Sequence, residues 1–586
     1  MDPRDGAAAS RFVRAIRLEA LPVGACHALR VDGHSVALFR TDAGVFAVDN
    51  RCPHMGFPLD RGSVRDGVLT CHWHHARFDL RSGGTFDPWA DDVRSFPVRV
   101  RDGEIWVDVA EHRDLSHHHL ERLGDGLARD IPLVIAKSVI ALTEHRDDGA
   151  LGAFCAGLEF GVRHRRAGWG AGLTTLTCMM NLLPWLDRDD RARALYQGLA
   201  AVAEDCESAP PRFAVRPLPG GHVEGAALKR WFRSFVDVRD AEGAERCITT
   251  AVRTGASAAD VADMLFAAAT DHRYLSTGHV LDFTNKAFEA LEHAGWRHAE
   301  ATLASLARGY AGADRMEESN AWRNPVDLVA MLERAFESLP AAIETGRRAT
   351  TPWRDCDALA AVVLGDDPQG IVDAMLAAVR DGCPPDELAG AVAYAAAMRI
   401  ARFHTSNEFG DWDTAHHSFT FANAVQRALA RAPSPELMRA AFDAAMSVYL
   451  DRFLNVPPAQ LPTPTRPARP LAELLAALPA LLDRQQPVAE AADLVAEFLG
   501  AGGDGRSLIA ALAGLLLRED RDFHTIQDFE AAVRQFARLG ATPAGHQVVI
   551  ATTRYLAAHA PTPRAQGQTY RIADRLHRGD RLFEST

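Results

Sequence analysis

At 586 residues, 47% of them hydrophobic, the chain is long enough for several domains with real cores, which excludes a disordered protein. A formal net charge of −13 argues against nucleic acid as a general partner, although a local cluster such as Arg163, His164, Arg165 and Arg166 could still meet an anionic ligand. No apolar run approaches the ~18 residues of a membrane span, and the first residues lack the charged-then-apolar order of a signal peptide, so the expectation is a cytoplasmic protein with no membrane partner.

From about Phe12 to Val109 the pattern is short alternating β segments, at 27–31, 35–40, 45–48, 98–100 and 105–109. Asp32-Gly33, Asp66-Gly67 and Asp102-Gly103 punctuate them as hairpin turns. The segments make an all-β domain over residues 10–111 with two loops at one end. Those loops carry Cys52-Pro53-His54 and, sixteen residues on, Cys71-His72-Trp73-His74. Two thiolates and two imidazoles in matched loops suit a [2Fe–2S] cluster with sulfur on one iron and ring nitrogen on the other. Zinc ligands usually come as C-x2-4-C with H-x3-5-H, so each arm mixes residue types wrongly for zinc, which stays with a bland structural role as the lesser reading. The other seven cysteines are scattered and read as small buried hydrophobes, not as a disulfide framework.

The stretches 45–59 and 69–84 resemble Rieske domains of the ferredoxin and ring-oxygenase type, over about the first fifth of the chain. The resemblance implies that Cys52 and Cys71 hold one iron of a [2Fe–2S] cluster and His54 and His74 the other. Each histidine would bind through one ring nitrogen and leave the other near the surface as an electron exit. Respiratory Rieske proteins add a disulfide-bonded cysteine to each loop; Phe57 and Trp73 stand in those places, so no such bridge is expected. Ala76 and Phe78 replace the serine and tyrosine that donate to the cluster sulfurs in high-potential relatives. Without those hydroxyls the reduced, more negative cluster is less stabilised, and the potential should lie near the lower end of the roughly −150 to +300 mV Rieske range. His75 occupies a position where the family usually has glycine; it is expected to be a solvated neighbour and not a ligand.

Beyond His112 the texture becomes Ala-, Leu- and Arg-rich with helical spacing, as at 261–269 and 388–398. We expect an all-α repeat domain over 112–455, an extended Pro-rich linker over 456–470, and a C-terminal helical domain over 471–586, with helix to about His559. His117, His118 and His119 would lie in an exposed connector, and the Trp169 region could line a pocket. One theme recurs. A capped helix, opening at Gly255 with Ser257 and Asp260 or at Gly382 with Pro384 and Pro385, leads to a histidine-headed segment of form H-x3-F-x-N. The copies are His279, Phe283, Asn285 and His417, Phe421, Asn423, with a looser third running from Gly503 to His524 and Glu530. The Gly-x-Ser/Pro-x-x-Asp/Glu opening is similar to helical repeats of the carboxymuconolactone decarboxylase and alkylhydroperoxidase group. The peroxidases of that group depend on a C-x-x-C pair, which this chain lacks, so their thiol chemistry is not implied.

Histidines and acids concentrate in two repeats, as Asp271, His272 and His279, and as His404, Glu408, Asp411, Asp413, His416 and His417. Two histidines and one carboxylate would suit an additional mononuclear non-haem iron, with His279 and His417 as candidate catalytic residues. The D-x2-H-x4-H spacing of Rieske ring oxygenases and the Glu-x-x-His pair of ferritin-like di-iron sites are both absent. A purely structural role for these histidines and asparagines stays open. The implied function is an oxidoreductase that passes single electrons from an external electron donor, a reductase or ferredoxin, to a small-molecule substrate site in the helical region. The reductase must be separate, because no G-x-G-x-x-G follows a strand. The alternative is a non-catalytic electron carrier or redox sensor whose helices dock a partner. Convergence of His272, His279, His404 and His417 would favour the enzyme.

Overall fold

The structure is a computed structural model that describes residues 10–110, 115–145, 149–165, 167–207, 209–220, 223–462, 469–580 and 582. The expected domain limits at 111, 112 and 586, residue 166 of the basic cluster, and 463–468 of the Pro-rich stretch lie outside those residues. The chain divides into two compact units, Met1–Ala156 with Gln566–Thr586, and Gly157–Ala565. Among the described residues no helix is long and apolar enough to cross a membrane.

Among its described residues the first unit carries ten strands: β1 (Phe12–Arg17), β2 (Cys26–Val31), β3 (His34–Thr41), β4 (Gly44–Asp49), β5 (Ser63–Arg65), β6 (Val68–Thr70), β7 (Arg77–Asp79), β8 (Ser95–Phe96), β9 (Val98–Arg101) and β10 (Glu104–Asp108). They form three antiparallel sheets, ordered β1-β10-β9, β2-β3-β4-β8 and β5-β6-β7. The three Asp-Gly pairs are the hairpin turns, with left-handed backbone at both residues of each: Asp32 (φ +48°) and Gly33 (φ +88°), Asp66 (+51°) and Gly67 (+79°), Asp102 (+52°) and Gly103 (+74°). That conformation matches the twist of the flanking strands and brings them into pairing over two residues. In β3, Val36, Ala37, Leu38 and Phe39 are all buried, because alternate side chains enter two different cores. Val36 and Leu38 join Ile105 and Val107. Ala37 and Phe39 join Cys52, Leu69, Cys71, Ala76 and Phe78, so the ligand-loop cysteines are part of a packed apolar layer.

The helices of this unit include α1 (Leu115–Ala128) and α2 (Pro132–His145). The triple histidine is therefore the first turn of a helix, not an exposed connector. Leu123 and Leu127, four residues apart, are buried on one face. Arg122 fastens the helix to the β domain by donating to Asp91 Oδ1 (3.0 Å) and to the carbonyls of Pro88 (3.1 Å) and Ala90 (2.8 Å).

The second unit is helical, and the elements that matter are α3 (Ala171–Leu182), α4 (Ala258–Ala269), α5 (His279–Ala294), α6 (Pro385–Ala401), α7 (Asp411–Arg431), α8 (Gly505–Leu517), α9 (Phe523–Leu539) and α10 (Pro543–Ala558). The cap signals act as expected. Ser257 and Asp260 form a reciprocal capping box on α4, Pro385 opens α6, and Asp504 accepts from the backbone of Arg506 and Ser507 to cap α8. Helix does not end at His559, since Ala565–His577 forms a further one. The Trp169 region is internal structure. Its indole is buried and donates to Thr174 Oγ1 at 3.0 Å.

Helix α7 packs on α5 and on α9, and α3 packs on the same two helices, so the four surround a common axis. That axis is charged. Lys286 Nζ, 1% exposed, meets Glu289 at 3.0 Å and Glu530 at 2.5 Å; Arg534 reaches Glu530 at 2.9 Å and Asn181 of α3 donates to both glutamates at 2.8 Å. Substituting one member leaves an uncompensated charge in the core. Lys286→Met should destabilise the helical unit by about 3–5 kcal/mol. Urea melts followed by far-UV circular dichroism check this, and an unshifted midpoint contradicts it.

Candidate functional site

The two loops at the tip of the β domain have the same construction. The Cys52 amide donates to the Phe57 carbonyl and the Cys71 amide to the Ala76 carbonyl, both at 2.8 Å, so each cysteine closes a loop on the residue five positions on. The fourth residue after each cysteine is left-handed, Gly56 at φ +82° and His75 at φ +62°. This answers what stands at position 75. The turn demands positive φ, the first loop meets it with glycine, and the second forces it on a histidine whose side chain is exposed to solvent.

Closing the loops brings the four candidate ligands together. The Cys52 and Cys71 thiols adjoin, and their mutual interaction, with burial, raises the Cys52 pKa well above the thiol range while that of Cys71 falls to about 6. The amides of His54 and Met55 point at Cys52 sulfur and those of Trp73 and His74 at Cys71 sulfur. The imidazoles of His54 and His74 stand edge to face with centroids 4.8 Å apart. His54 also packs edge-on against Trp89 at 4.7 Å. Burial, then Lys137 and His74, lower the His54 pKa to about 4, so the ring is neutral at pH 7, as a metal ligand must be. Its Nδ1 is buried without a hydrogen-bond partner. Lys137 of α2 clamps this loop from outside by donating to the carbonyls of Pro53 and of His54, the latter at 3.0 Å. Phe57 and Trp73 stand 6.1 Å apart, and none of the nine cysteines is joined in a disulfide.

Residues 12–97 match the Rieske [2Fe–2S] domain family. The chain is 38% identical over 82 residues to the ferredoxin component of the p-cumate 2,3-dioxygenase system of Pseudomonas putida, covering 14% of this chain and 70% of that protein. The chain belongs to the Rieske family. It is also 37% identical over 91 residues to 4beta-methylsterol monooxygenase of Methylococcus capsulatus, covering 14% of this chain and 24% of that protein. Among solved structures it resembles the ferredoxin of carbazole 1,9a-dioxygenase from Nocardioides aromaticivorans, with 34% identity, a TM-score of 0.16, and coverage of 17% of this chain and 98% of that one. The Rieske domain binds a [2Fe–2S] cluster, and the donor set found here fits one: two adjoining sulfurs, two adjoining imidazoles, and a buried ring nitrogen with no protein partner.

The helical unit brings two of the sequence's candidates together. His279, the first residue of α5, and His417, in the second turn of α7, place their Nε2 atoms 3.1 Å apart with ring planes at 82°. His272 and His404 lie elsewhere. His272 Nδ1 is 2.6 Å from Glu317, and His404 pairs with Ser406. The expected carboxylate is absent from the group as well: Asp271 is bound by Arg233, and Asp413 accepts from the Tyr555 hydroxyl at 3.0 Å. A third histidine takes that place. His524, from the looser repeat, brings its ring to 4.8 Å from His417 and 5.9 Å from His279, and one ring nitrogen from each of the three lies within 4.8 Å of the others. Burial lowers the pKa of His279 to about 3 and of His417 to about 4, and shifts His524 the same way, so all three rings are neutral at pH 7. His416 is fully buried beside them, with neither ring nitrogen hydrogen-bonded. The repeat spacing contained the signal for His524, but in that copy the phenylalanine falls one position late and glutamate stands for asparagine.

Two outcomes follow for the Rieske domain. His75→Gly relieves a left-handed residue and should stabilise the domain by about 0.5–1 kcal/mol, read as a higher urea midpoint for loss of the visible cluster spectrum, without altering the spectrum. Because Ala76 and Phe78 are fully buried under the second loop and carry no hydroxyl, spectroelectrochemical titration should give a midpoint near the lower end of the roughly −150 to +300 mV range. A strongly positive potential would contradict the absence of those donors.

Proposed function

We propose that this protein is a Rieske-dependent oxidoreductase that accepts single electrons from a separate reductase and uses them at a site in its helical unit lined by His279 and His417. Cys52 and Cys71 hold one iron of the cluster, and His54 and His74 the other. When bound, the cluster supplies a one-electron couple whose potential the imidazoles raise relative to an all-thiolate centre. The chain's own part is to keep both imidazoles neutral, to hold loop 52–57 shut through Lys137, and to present the exposed ring of His74 at the surface where a redox partner docks. A relative named as the ferredoxin component of a dioxygenase system, and another named as a monooxygenase, support dioxygen chemistry as the class of reaction that consumes the electrons.

The observation that carries the reading is the 3.1 Å approach of His279 and His417 from two different repeats. An electron carrier has no use for neutral histidines gathered in a half-buried cluster, whereas a reaction site does. The ferredoxin relative favours the carrier reading, and one experiment separates the two. The full-length protein is reduced, freed of reductant and mixed with air-saturated buffer, and bleaching or recovery of the cluster absorbance is followed by stopped flow. In His417→Ala the cluster spectrum should be unchanged and re-oxidation at least about tenfold slower, equivalent to about 1.4 kcal/mol in the barrier. Equal rates in the variant and the parent protein would remove the helical site and leave the carrier.

A further inference from the structure

Three repeats of the helical unit each offer one histidine from the same position of the same motif: His279, His417 and His524. We propose that these three imidazoles are the ligands of a single divalent transition-metal ion, a centre additional to the Rieske cluster. The proposal concerns the same place as the electron-accepting site above, but it stands on geometry alone. Only the choice of iron as the metal in the cell rests on that functional reading.

Metal–nitrogen bonds of about 2.0–2.1 Å, at tetrahedral to octahedral angles, put two ligand nitrogens of one ion about 2.9–3.4 Å apart. His279 Nε2 and His417 Nε2 are 3.1 Å apart. A hydrogen bond between two neutral rings would give the same distance, and the third ring decides between the two. His524 adds a nitrogen within 4.8 Å of both, and its Nε2 is buried with no hydrogen-bond partner, an arrangement that two paired rings would not require. The His417 ring is also fixed from behind by a hydrogen bond to the Asp413 carbonyl, the type of outer partner that orients a metal-bound imidazole. Of the neighbouring carboxylates, Asp413 accepts from the Tyr555 hydroxyl at 3.0 Å, Asp282 accepts from Gln527, and Asp528 accepts from Thr552 at 2.6 Å through one oxygen while the other lies 3.8 Å from His416 Nδ1.

Three neutral ligands bring no charge to the ion and leave at least one coordination position open, so the site suits water, dioxygen or a small anionic group. The ring of Phe283 packs at 5.1 Å from His279, and that of Phe523 at 5.7 Å from His279 and 4.1 Å from His524. Neither phenyl can ligate. Both are only partly buried, and they place apolar surface beside the three rings.

The test uses the full-length, cluster-loaded protein. Iron and acid-labile sulfide are measured together in the parent chain and in His279→Gln, His417→Gln and His524→Gln. The expected ratio is three irons to two sulfides in the parent and two to two in each variant, with the cluster absorbance unchanged as the control for folding. Independently, Co2+ added to chelator-treated parent protein should give ligand-field bands that saturate at one equivalent, and His524→Gln should give none. Two irons to two sulfides in the parent together with no saturable Co2+ binding overturns the proposal. Retention of the extra ion in any one of the three variants overturns the three-histidine ligand set. Slowed re-oxidation in His524→Gln with no metal bound in the parent leaves the electron-accepting site standing and removes the metal. Loss of the metal with unchanged re-oxidation keeps the metal centre and removes the functional reading.

Discussion

Everything at the redox end of this molecule depends on loop closure. Two thiols buried in an apolar layer with Phe39, Leu69 and Phe78 have no reason of their own to sit side by side. They do so because each cysteine amide is tied to the carbonyl five residues on, at 2.8 Å in both loops. A five-residue closure of this kind needs one left-handed residue. At Gly56 glycine is also favoured by space, since a Cβ there would meet Leu576 Cδ2 at 3.3 Å. At His75 the protein accepts the steric cost of positive φ, roughly 1–2 kcal/mol, and the side chain escapes into solvent. The sharper constraint lies one step further back. A Cβ at Gly83 would fall 1.9 Å from the Val93 carbonyl, so the turn after β7 must be glycine for the second loop to lie on the sheet.

The helical unit solves a different problem with charge. Because α5, α7 and α9 carry one motif, the positions six and ten residues after each histidine line the shared axis: Asn285, Asn423 and Glu530 at the first level, Glu289, Arg427 and Arg534 at the second. Three like charges at one level would repel. The sequence instead mixes signs and neutral amides, so that Arg427 reaches Glu289 at 3.5 Å, Arg534 reaches Glu530 at 2.9 Å, and Arg431 donates to Asn285 at 2.8 Å. Buried ion pairs of this kind bring little net stability over apolar packing, but a mismatch in register leaves a charge unpaired, so they fix how the three repeats align. That alignment is what sets three histidines level with one another at one end of the bundle.

The Rieske loops were legible in the sequence because their chemistry is local: four ligand types at fixed spacing, and Asp-Gly turns whose left-handed φ values few other residues accept. Strands of two or three residues, β5 to β8, were not legible, since a period of two cannot be recognised in so few positions. The histidine helix α1 was missed for a related reason. Its polar start reads as a loop, and only Leu123 and Leu127, buried beneath it, betray the periodicity. His279 and His417 were visible as a repeat. Their third partner was not taken up as a ligand, because the expectation of two histidines and a carboxylate directed attention to Asp271, Glu408, Asp411 and Asp413, all of which the fold uses or places elsewhere. A convergence of residues 138 and 107 positions apart is a property of packing, and sequence spacing does not contain it.

The segment that introduces His279 is where the backbone departs furthest from ease. Tyr274, Ser276, Thr277 and Gly278 all have positive φ, three of them non-glycine residues for which that region is unfavourable. Such a run persists only where its surroundings over-determine it. Here Tyr274 is held between Trp322 at 6.0 Å and Phe421 at 5.0 Å, and Ser276 is locked to Asp314 by its amide at 2.8 Å and its hydroxyl at 3.1 Å. Gly278 completes the approach, because a Cβ there would lie 2.7 Å from Phe421 of α7. An ordinary serine or aspartate cap would start α5 with relaxed geometry, but it would bring a Cβ into Phe421 and push apart the two helices whose histidines face each other. The strain therefore lies in the residues that allow α5 to begin, at His279, directly against the helix that carries His417.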